Sequence, residues 1–101
     1  MSTVKVCTLS QMPTLLANPQ ALLLDCRKIL DYQVEHIDNA LHSHDQLVET
    51  LIKKSNKNRV IVIYCYHGHS SEHLAQLFGG FGFNNVYSLE GGYESYKQAG
   101  F

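Results

Sequence analysis

Tryptophan is absent from this sequence of 101 residues, and proline is nearly so, with Pro13 and Pro19 both near the start. Glycine does not occur before Gly68, so all 7 glycines lie in the C-terminal third, where tight turns are therefore expected. An excess of either charge is also missing, because 8 Lys and Arg residues oppose 9 Asp and Glu residues. Nucleic acids and anionic membranes select basic surfaces, so neither is expected as a partner.

Long hydrophobic segments are missing as well. The longest apolar or aromatic run, residues 60–66, is far shorter than the roughly 20 residues of a membrane span. The first residues contain no apolar core typical of a secretory signal. The 3 cysteines, Cys7, Cys26 and Cys65, are an odd number without C-x-x-C spacing, which argues against a disulfide framework. We therefore expect a reduced, soluble, cytoplasmic protein with a single domain over residues 1–101.

Short apolar runs without polar alternation predict strands that are buried on both faces, as in a parallel sheet. Strands are predicted over residues 21–24, 59–64 and 86–89, with a weaker edge strand over 4–7. Helical patterns lie between them, over residues 10–17, 29–35, 45–54, 71–78 and 92–98. The alternation predicts an α/β domain, in which helices cover both faces of a mostly parallel central sheet of four or five strands.

Details of three helices are also predicted from the residues. The spacing of Leu30, Val34 and Ile37 predicts one apolar face on the second helix. Ser43 and Gln46 have the spacing of a capping box at the start of the third helix. The glycine pair 79–80 is expected to end the fourth helix.

The strongest chemical signal is the segment from Arg59 to Ser71. A buried strand delivers Cys65 at its carboxyl end, a loop with Gly68 follows, and a helix is predicted to begin at Ser70 or Ser71. Reactive groups of open α/β sheets gather at this edge. Inward loop N–H groups and the positive helix end favour a thiolate, so the pKa of Cys65 is expected below its usual value of about 8.5. The alternative is an inert cysteine buried at the end of a strand.

Three motifs in order make the sequence resemble the single-domain rhodanese, or sulfurtransferase, family over nearly the whole chain. Residues 22–40 read L-L-L-D-C-R-K-I-L-D-Y-Q-V-E-H-I-D-N-A, and residues 86–96 read V-Y-S-L-E-G-G-Y-E-S-Y. Between them, residues 65–71 read C-Y-H-G-H-S-S, closest to the small bacterial thiosulfate sulfurtransferases of the glycerol-3-phosphate regulon. The resemblance implies a rhodanese-like three-layer fold.

The resemblance also implies a mechanism. Cys65 attacks the outer sulfur of thiosulfate, releases sulfite and holds the sulfur as a persulfide for a thiophilic acceptor, such as cyanide in an assay. Backbone N–H groups cradle the terminal sulfur, so the implied substrate-binding residues are Tyr66, His67, Gly68, His69, Ser70 and Ser71. The implied partners are a small-molecule sulfur donor and acceptor, with a thiol-bearing acceptor protein as a further candidate. No cofactor is expected.

Some residues depart from the family pattern. Rhodanese-like phosphatases and arsenate reductases carry C-x5-R, but Ser71 stands where that arginine grips the oxyanion, which disfavours a phosphatase. The family's G-H-I-P-G-A reads E-H-I-D-N-A, so Asn39 is expected to take the left-handed backbone of the lost glycine. The loop also lacks the basic residue that some members place beside the cysteine. Attraction for thiosulfate is therefore expected to be weaker, and the physiological donor stays open.

Other polar residues have a structural and a functional interpretation. Asp25 and Arg27 follow a predicted strand, and a buried ion pair that braces the active-site loop is favoured over substrate recognition by Arg27. Cys7 and Cys26 are packing residues or a resolving thiol, and topology brings Cys26 near enough to Cys65 for a disulfide to be conceivable. A metal bound by Cys65 and the histidines is not expected, because a loop with inward N–H groups directs side chains outward.

The residues of the closing motif also have a structural interpretation. Gly91 and Gly92 are expected to form a tight turn, and the tyrosines that follow are expected to pack the last helix.

Two further functional classes remain open from the sequence. One is a rhodanese-like persulfide carrier or interaction module that a partner protein, rather than thiosulfate, supplies with sulfur. The other is redox sensing through oxidation of Cys65, which needs the same acidic thiol.

Overall fold

The structure is a computed structural model that describes residues 4–100. Its strands are β1 (Lys5–Cys7), β2 (Leu22–Asp25), β3 (Leu41–His42), β4 (Ile61–Tyr64) and β5 (Val86–Leu89). They form one sheet of 5 strands in the order β1-β5-β4-β2-β3, and every pair is parallel. The helices are α1 (Met12–Leu16), α2 (Ile29–Val34), α3 (Asp45–Lys54), α4 (His69–Gly80) and α5 (Gly92–Gln98). The predicted α/β class is therefore confirmed.

Two hydrophobic clusters lie on opposite faces of the sheet, because successive strand residues point in opposite directions. On one face, Ile61 and Ile63 of β4 pack with buried side chains of α3 and α4, including the fully buried Phe78. On the other face, Val62 and Tyr64 pack with residues of α1, α2 and α5. The prediction of helices on both faces is confirmed, and β4 at the centre of the sheet is completely enclosed.

Strand β3 is the element that the sequence did not reveal. It has only 2 residues, and its Leu41 is exposed, so it shows neither an apolar run nor alternation. It pairs with β2 in a register that sets Leu24 beside Leu41 and Asp25 beside His42. It follows the left-handed turn at Asn39, whose φ is 70°. The predicted left-handed backbone of Asn39 is confirmed, and β1 lies at the opposite edge of the sheet, as expected.

The ends of two helices differ from the predictions. Helix α4 begins at His69 instead of Ser70 or Ser71, and its last turn includes the glycine pair that was expected to stop it. Helix α3 is capped by His44, whose Nδ1 accepts the N–H of Leu47 at 3.2 Å. The capping box predicted from Ser43 is wrong because its hydroxyl donates to the carbonyl of Asp25, which ties α3 to the end of β2 instead.

The apolar face predicted for α2 is also only partly correct. Ile37, which follows the helix, is buried, whereas Leu30 is 72% exposed and Val34 is 83% exposed. Within residues 4–100, no helix has the length and apolar character that crossing a bilayer requires.

Candidate active site

Two neighbouring strands deliver the chemistry of this site at their carboxyl ends. Strands β2 and β4 are paired in parallel, and their register sets Asp25 beside Tyr64. Cys65 is the residue after β4, and Cys26 is the residue after β2, so the two cysteines lie one step beyond this pair. The N–H of Cys26 still donates to the carbonyl of Tyr64 at 2.9 Å, so the strands remain together at this point.

The sulfur of Cys65 is surrounded by hydrogen-bond donors. The N–H of Gly68 lies 3.0 Å from Sγ, and the hydroxyl of Ser71 lies 3.4 Å from it. The N–H of Ser71 and the thiol of Cys26 also lie near enough to this sulfur to lower its pKa. Cys65 is only 3% exposed, so these groups replace the water that otherwise solvates a thiolate.

These donors set the ionisation of the two thiols. The hydrogen bond from Cys26, followed by those from Ser71 and Gly68, outweighs the effect of burial and lowers the pKa of Cys65 to about 4. The same hydrogen bond, together with burial, raises the pKa of Cys26 far above its usual value. Cys65 is therefore the thiolate near neutral pH, and Cys26 holds its proton. This agrees with the acidic thiol that the sequence predicts at Cys65.

The loop is held from outside by the start of helix α5. The N–H of Tyr93 donates to the carbonyl of Cys65 at 2.8 Å, and the N–H of Glu94 donates to the carbonyl of Tyr66 at 3.1 Å. With these carbonyls bound on the outer side, N–H groups of the loop turn toward the sulfur. Gly92 permits the approach, since a Cβ there would lie 2.6 Å from the carbonyl oxygen of Cys65. Its φ of 59° also favours glycine.

A buried pair of serines contacts the sulfur of Cys65 through the hydroxyl of Ser71. Ser71 and Ser88 are 0% and 1% exposed, and their hydroxyl oxygens are 2.7 Å apart. Ser88 also lies 3.4 Å from the carbonyl oxygen of Gly68. The sequence interpretation missed Ser88, although its place in β5 beside β4 follows from the predicted parallel order. Ser88 is the one small polar residue of the V-Y-S-L segment.

Asp25 and Arg27 form a buried ion pair, with Nη2 2.8 Å from Oδ2. The N–H of Arg27 also donates to Asp25, and the guanidinium donates to the carbonyl of Glu35 at 2.7 Å. The guanidinium carbon lies 4.0 Å from the ring centre of Tyr93, at the helix that holds the loop. This arrangement has the geometry of the predicted brace, because Arg27 is engaged on several sides by the protein itself.

The remaining predicted residues of the loop lie on its outer side. The imidazole of His67 lies against the carboxylate of Glu94, and it lines a surface pocket of about 210 Å³ together with His69. Tyr66 reaches α2, where its hydroxyl donates to Asp31 and accepts the N–H of Lys28 at 3.2 Å. Ser70 is exposed. The structure thus brings backbone groups of the loop, and the hydroxyl of Ser71, to the sulfur.

Comparison with known proteins agrees with this geometry. A family model described as a rhodanese-like domain matches residues 8–99. A thiosulfate sulfurtransferase GlpE of Coxiella burnetii is 41% identical over 76 residues, which are 75% of this chain and 71% of that protein. Its counterpart from Vibrio cholerae is 35% identical over 80 residues, or 79% of this chain and 76% of that protein.

Solved structures show the same fold. The rhodanese-like domain of an Anabaena protein matches with a TM-score of 0.81 and 24% identity, over 97% of this chain and 76% of that one. The human single-domain sulfurtransferase TSTD1 matches with a TM-score of 0.79 and 18% identity, over 95% of this chain and 97% of that one. The architecture, the family model and the curated relatives together show that this chain belongs to the rhodanese-like domain family.

Proposed function

We propose that this chain moves a sulfane sulfur from thiosulfate, or from another donor, to a thiophilic acceptor through a persulfide on Cys65. The relatives named thiosulfate sulfurtransferase support thiosulfate as a donor. The single observation that carries the proposal is the loop around Cys65, in which the N–H of Gly68 lies 3.0 Å from the sulfur and the surrounding donors lower the pKa of this thiol.

Each step of this reaction balances without an added proton. The Cys65 thiolate attacks the outer sulfur of thiosulfate, the sulfur–sulfur bond of thiosulfate breaks, and sulfite leaves with the bonding pair. The product is a persulfide anion on Cys65. Cyanide then attacks the outer sulfur and leaves as thiocyanate, which regenerates the thiolate. No general base is needed, since the pKa of Cys65 is already lowered to about 4.

The loop also supplies the electrostatic stabilisation. In the persulfide, negative charge moves from Sγ to the outer sulfur, close to the start of helix α4. Gly68 is the N-cap of this helix. The first N–H groups of a helix have no carbonyl partner within the helix, so the positive end of α4 faces this charge. The fixed donors stabilise developing charge without having to reorganise.

A phosphatase is less well supported by the same site. Recognition of a tetrahedral oxyanion in this family's phosphatases uses the arginine of C-x5-R, but Ser71 holds that position and is completely buried. Its hydroxyl is already bonded to Cys65 and Ser88. The charged, bidentate group that grips phosphate is therefore missing from this position.

The proposal is tested by the intact mass of the protein. Incubation with thiosulfate should add one sulfur, about 32 Da, and cyanide should remove it as thiocyanate. Cys65→Ser should not gain the sulfur, whereas Cys7→Ala should behave as the wild type because Cys7 is buried in the cluster on the opposite face from Cys26.

A negative result has two distinct meanings. If thiosulfate adds no sulfur but a cysteine desulfurase loaded with persulfide does, the chain is a carrier supplied by a partner protein. If neither donor adds sulfur to Cys65, the sulfur-transfer proposal is wrong. In that case an interaction module or a redox sensor remains, and neither needs a persulfide on Cys65.

A further inference from the structure

Cys26 is a second thiol in contact with the proposed nucleophile, and the sulfur-transfer steps above do not use it as a reactant. Its thiol lies close enough to the sulfur of Cys65 to change the pKa of that group. Both cysteines are free in the structure, and Cys26 is half-buried against the cluster that contains α3 and α4. A thiol in this position can form a covalent bond with the sulfur of Cys65 as well as stabilise its negative charge.

The backbone geometry suits a bond between the two sulfurs. The cysteines follow the registered pair Asp25 and Tyr64 on adjacent parallel strands, so their Cβ atoms point toward the same face. Neighbouring strands are about 4.8 Å apart, within the range of about 4.4–6.8 Å between the Cα atoms of a disulfide. The hydrogen bond from the N–H of Cys26 to the carbonyl of Tyr64 holds this spacing at the ends of the strands.

We propose that Cys26 is a resolving thiol, which attacks the persulfide of Cys65, releases hydrosulfide and closes a Cys26–Cys65 disulfide when no external acceptor is present. This inference rests on the proposed function, because it needs the persulfide on Cys65. It adds a second outcome for the carried sulfur, which is release as sulfide.

The step balances in atoms and electrons. The sulfur of Cys26 bonds to Sγ of Cys65, the bond between Sγ and the outer sulfur breaks, and the outer sulfur keeps the bonding pair. The proton of Cys26 leaves with it as hydrosulfide. The two cysteines are oxidised to the disulfide, and the sulfane sulfur is reduced to sulfide. A small thiol or dithiol reductant reopens the disulfide by exchange.

The protonation states favour this order of events. Before the persulfide forms, the charge on Cys65 keeps the proton on Cys26. Formation of the persulfide moves that charge to the outer sulfur and leaves Sγ of Cys65 neutral. Sγ then no longer stabilises the proton on Cys26. Cys26 can therefore lose its proton and attack Sγ only after Cys65 has been loaded with sulfur.

The test follows the decay of a loaded persulfide. Wild type, Cys26→Ala and Cys7→Ala are loaded with thiosulfate, freed of small molecules, and incubated anaerobically without an acceptor. Because decay is measured from the loaded state, an altered loading rate in Cys26→Ala does not affect the comparison. Intact mass, peptide mapping of the disulfide and a sulfide assay are recorded over time.

The inference expects the loaded wild type and Cys7→Ala to convert to a species about 2 Da lighter than the reduced protein, with about one sulfide released per chain. Peptide mapping should join Cys26 to Cys65. Cys26→Ala should keep its added sulfur, with a lifetime at least roughly tenfold longer.

Other outcomes overturn the inference. A wild type that holds its sulfur as long as Cys26→Ala rules out the resolving step but leaves the proposed function intact. Return to the reduced mass without a disulfide, or a disulfide that requires Cys7, rules out the role of Cys26. If the wild type never gains sulfur from thiosulfate or a persulfide donor, the proposed function fails and the inference fails with it.

Discussion

Removal of the Ser71 hydroxyl tests how the fold makes Cys65 acidic. Ser71 is completely buried, so no water replaces its hydroxyl when the residue becomes alanine. A hydrogen bond to a charged group contributes roughly 1.5–3 kcal/mol, and one pKa unit corresponds to about 1.4 kcal/mol. Ser71→Ala should therefore raise the pKa of Cys65 by about 1–2 units, while the N–H of residue 71 still donates to the sulfur.

The assay is the pH dependence of alkylation at Cys65, measured by mass spectrometry of the labelled peptide. Only the thiolate reacts quickly, so the wild type should react over the whole neutral and mildly acidic range and lose reactivity as the pH falls through about 4. Burial raises the pKa of Cys7 to about 11, so that thiol stays silent. Ser70→Ala removes an adjacent, exposed hydroxyl and is the matched control.

Two results would refute this reasoning. One is a wild-type Cys65 that titrates near the ordinary thiol value of about 8.5, which would mean that the donors do not stabilise the thiolate. The other is an equal profile for Ser71→Ala and Ser70→Ala, which would show that the buried hydroxyl does not act on the sulfur.

Three further predictions concern the loop and the groups around it. Gly92→Ala should lower the free energy of unfolding by more than about 1 kcal/mol and slow sulfur loading. Gly82→Ala is the control, because Gly82 also has a positive φ, 92°, but a Cβ there would meet no neighbouring atom. It should lower stability without slowing loading. Arg27→Met should lower the free energy of unfolding by about 3–5 kcal/mol in a denaturant titration, since it leaves buried Asp25 without its cation; a loss under 1 kcal/mol would contradict the brace. His67→Ala should weaken use of thiosulfate but preserve persulfide formation from a strong donor, because the backbone donors remain; complete loss in the mass assay would assign His67 a larger role.

Much of the sheet was predictable because its strands are buried on both faces. The apolar run that ends at Tyr64 has no polar alternation, and such a run is typical of the centre of a parallel sheet. Strand β3 was not predictable in this way, because 2 residues with an exposed Leu41 show no periodic pattern. The cap of α3 was misassigned for a related reason, since Ser43 has capping spacing but its hydroxyl bonds to a distant strand.

The position of Cys65 and its loop between a buried strand and a helix was predictable from the local order of the sequence. The residues that hold this loop in place were not predictable from local sequence. Gly92 is about 27 residues further along the chain, and its role depends on a close approach to the carbonyl of Cys65. Ser88 likewise reaches Ser71 only through the pairing of β4 with β5.

The sequence by itself determined the class of fold, the strand that ends at Cys65 and the family to which the chain belongs, since these depend on short patterns and on motifs read in order. Only the tertiary structure decided which groups surround the sulfur of Cys65 and lower its pKa. Cys26 and Cys65 are 39 positions apart, and the register of β2 with β4 brings them into hydrogen-bond contact. The ionisation of a buried thiol depends on the donors around it, and those donors come from strands that only folding makes neighbours.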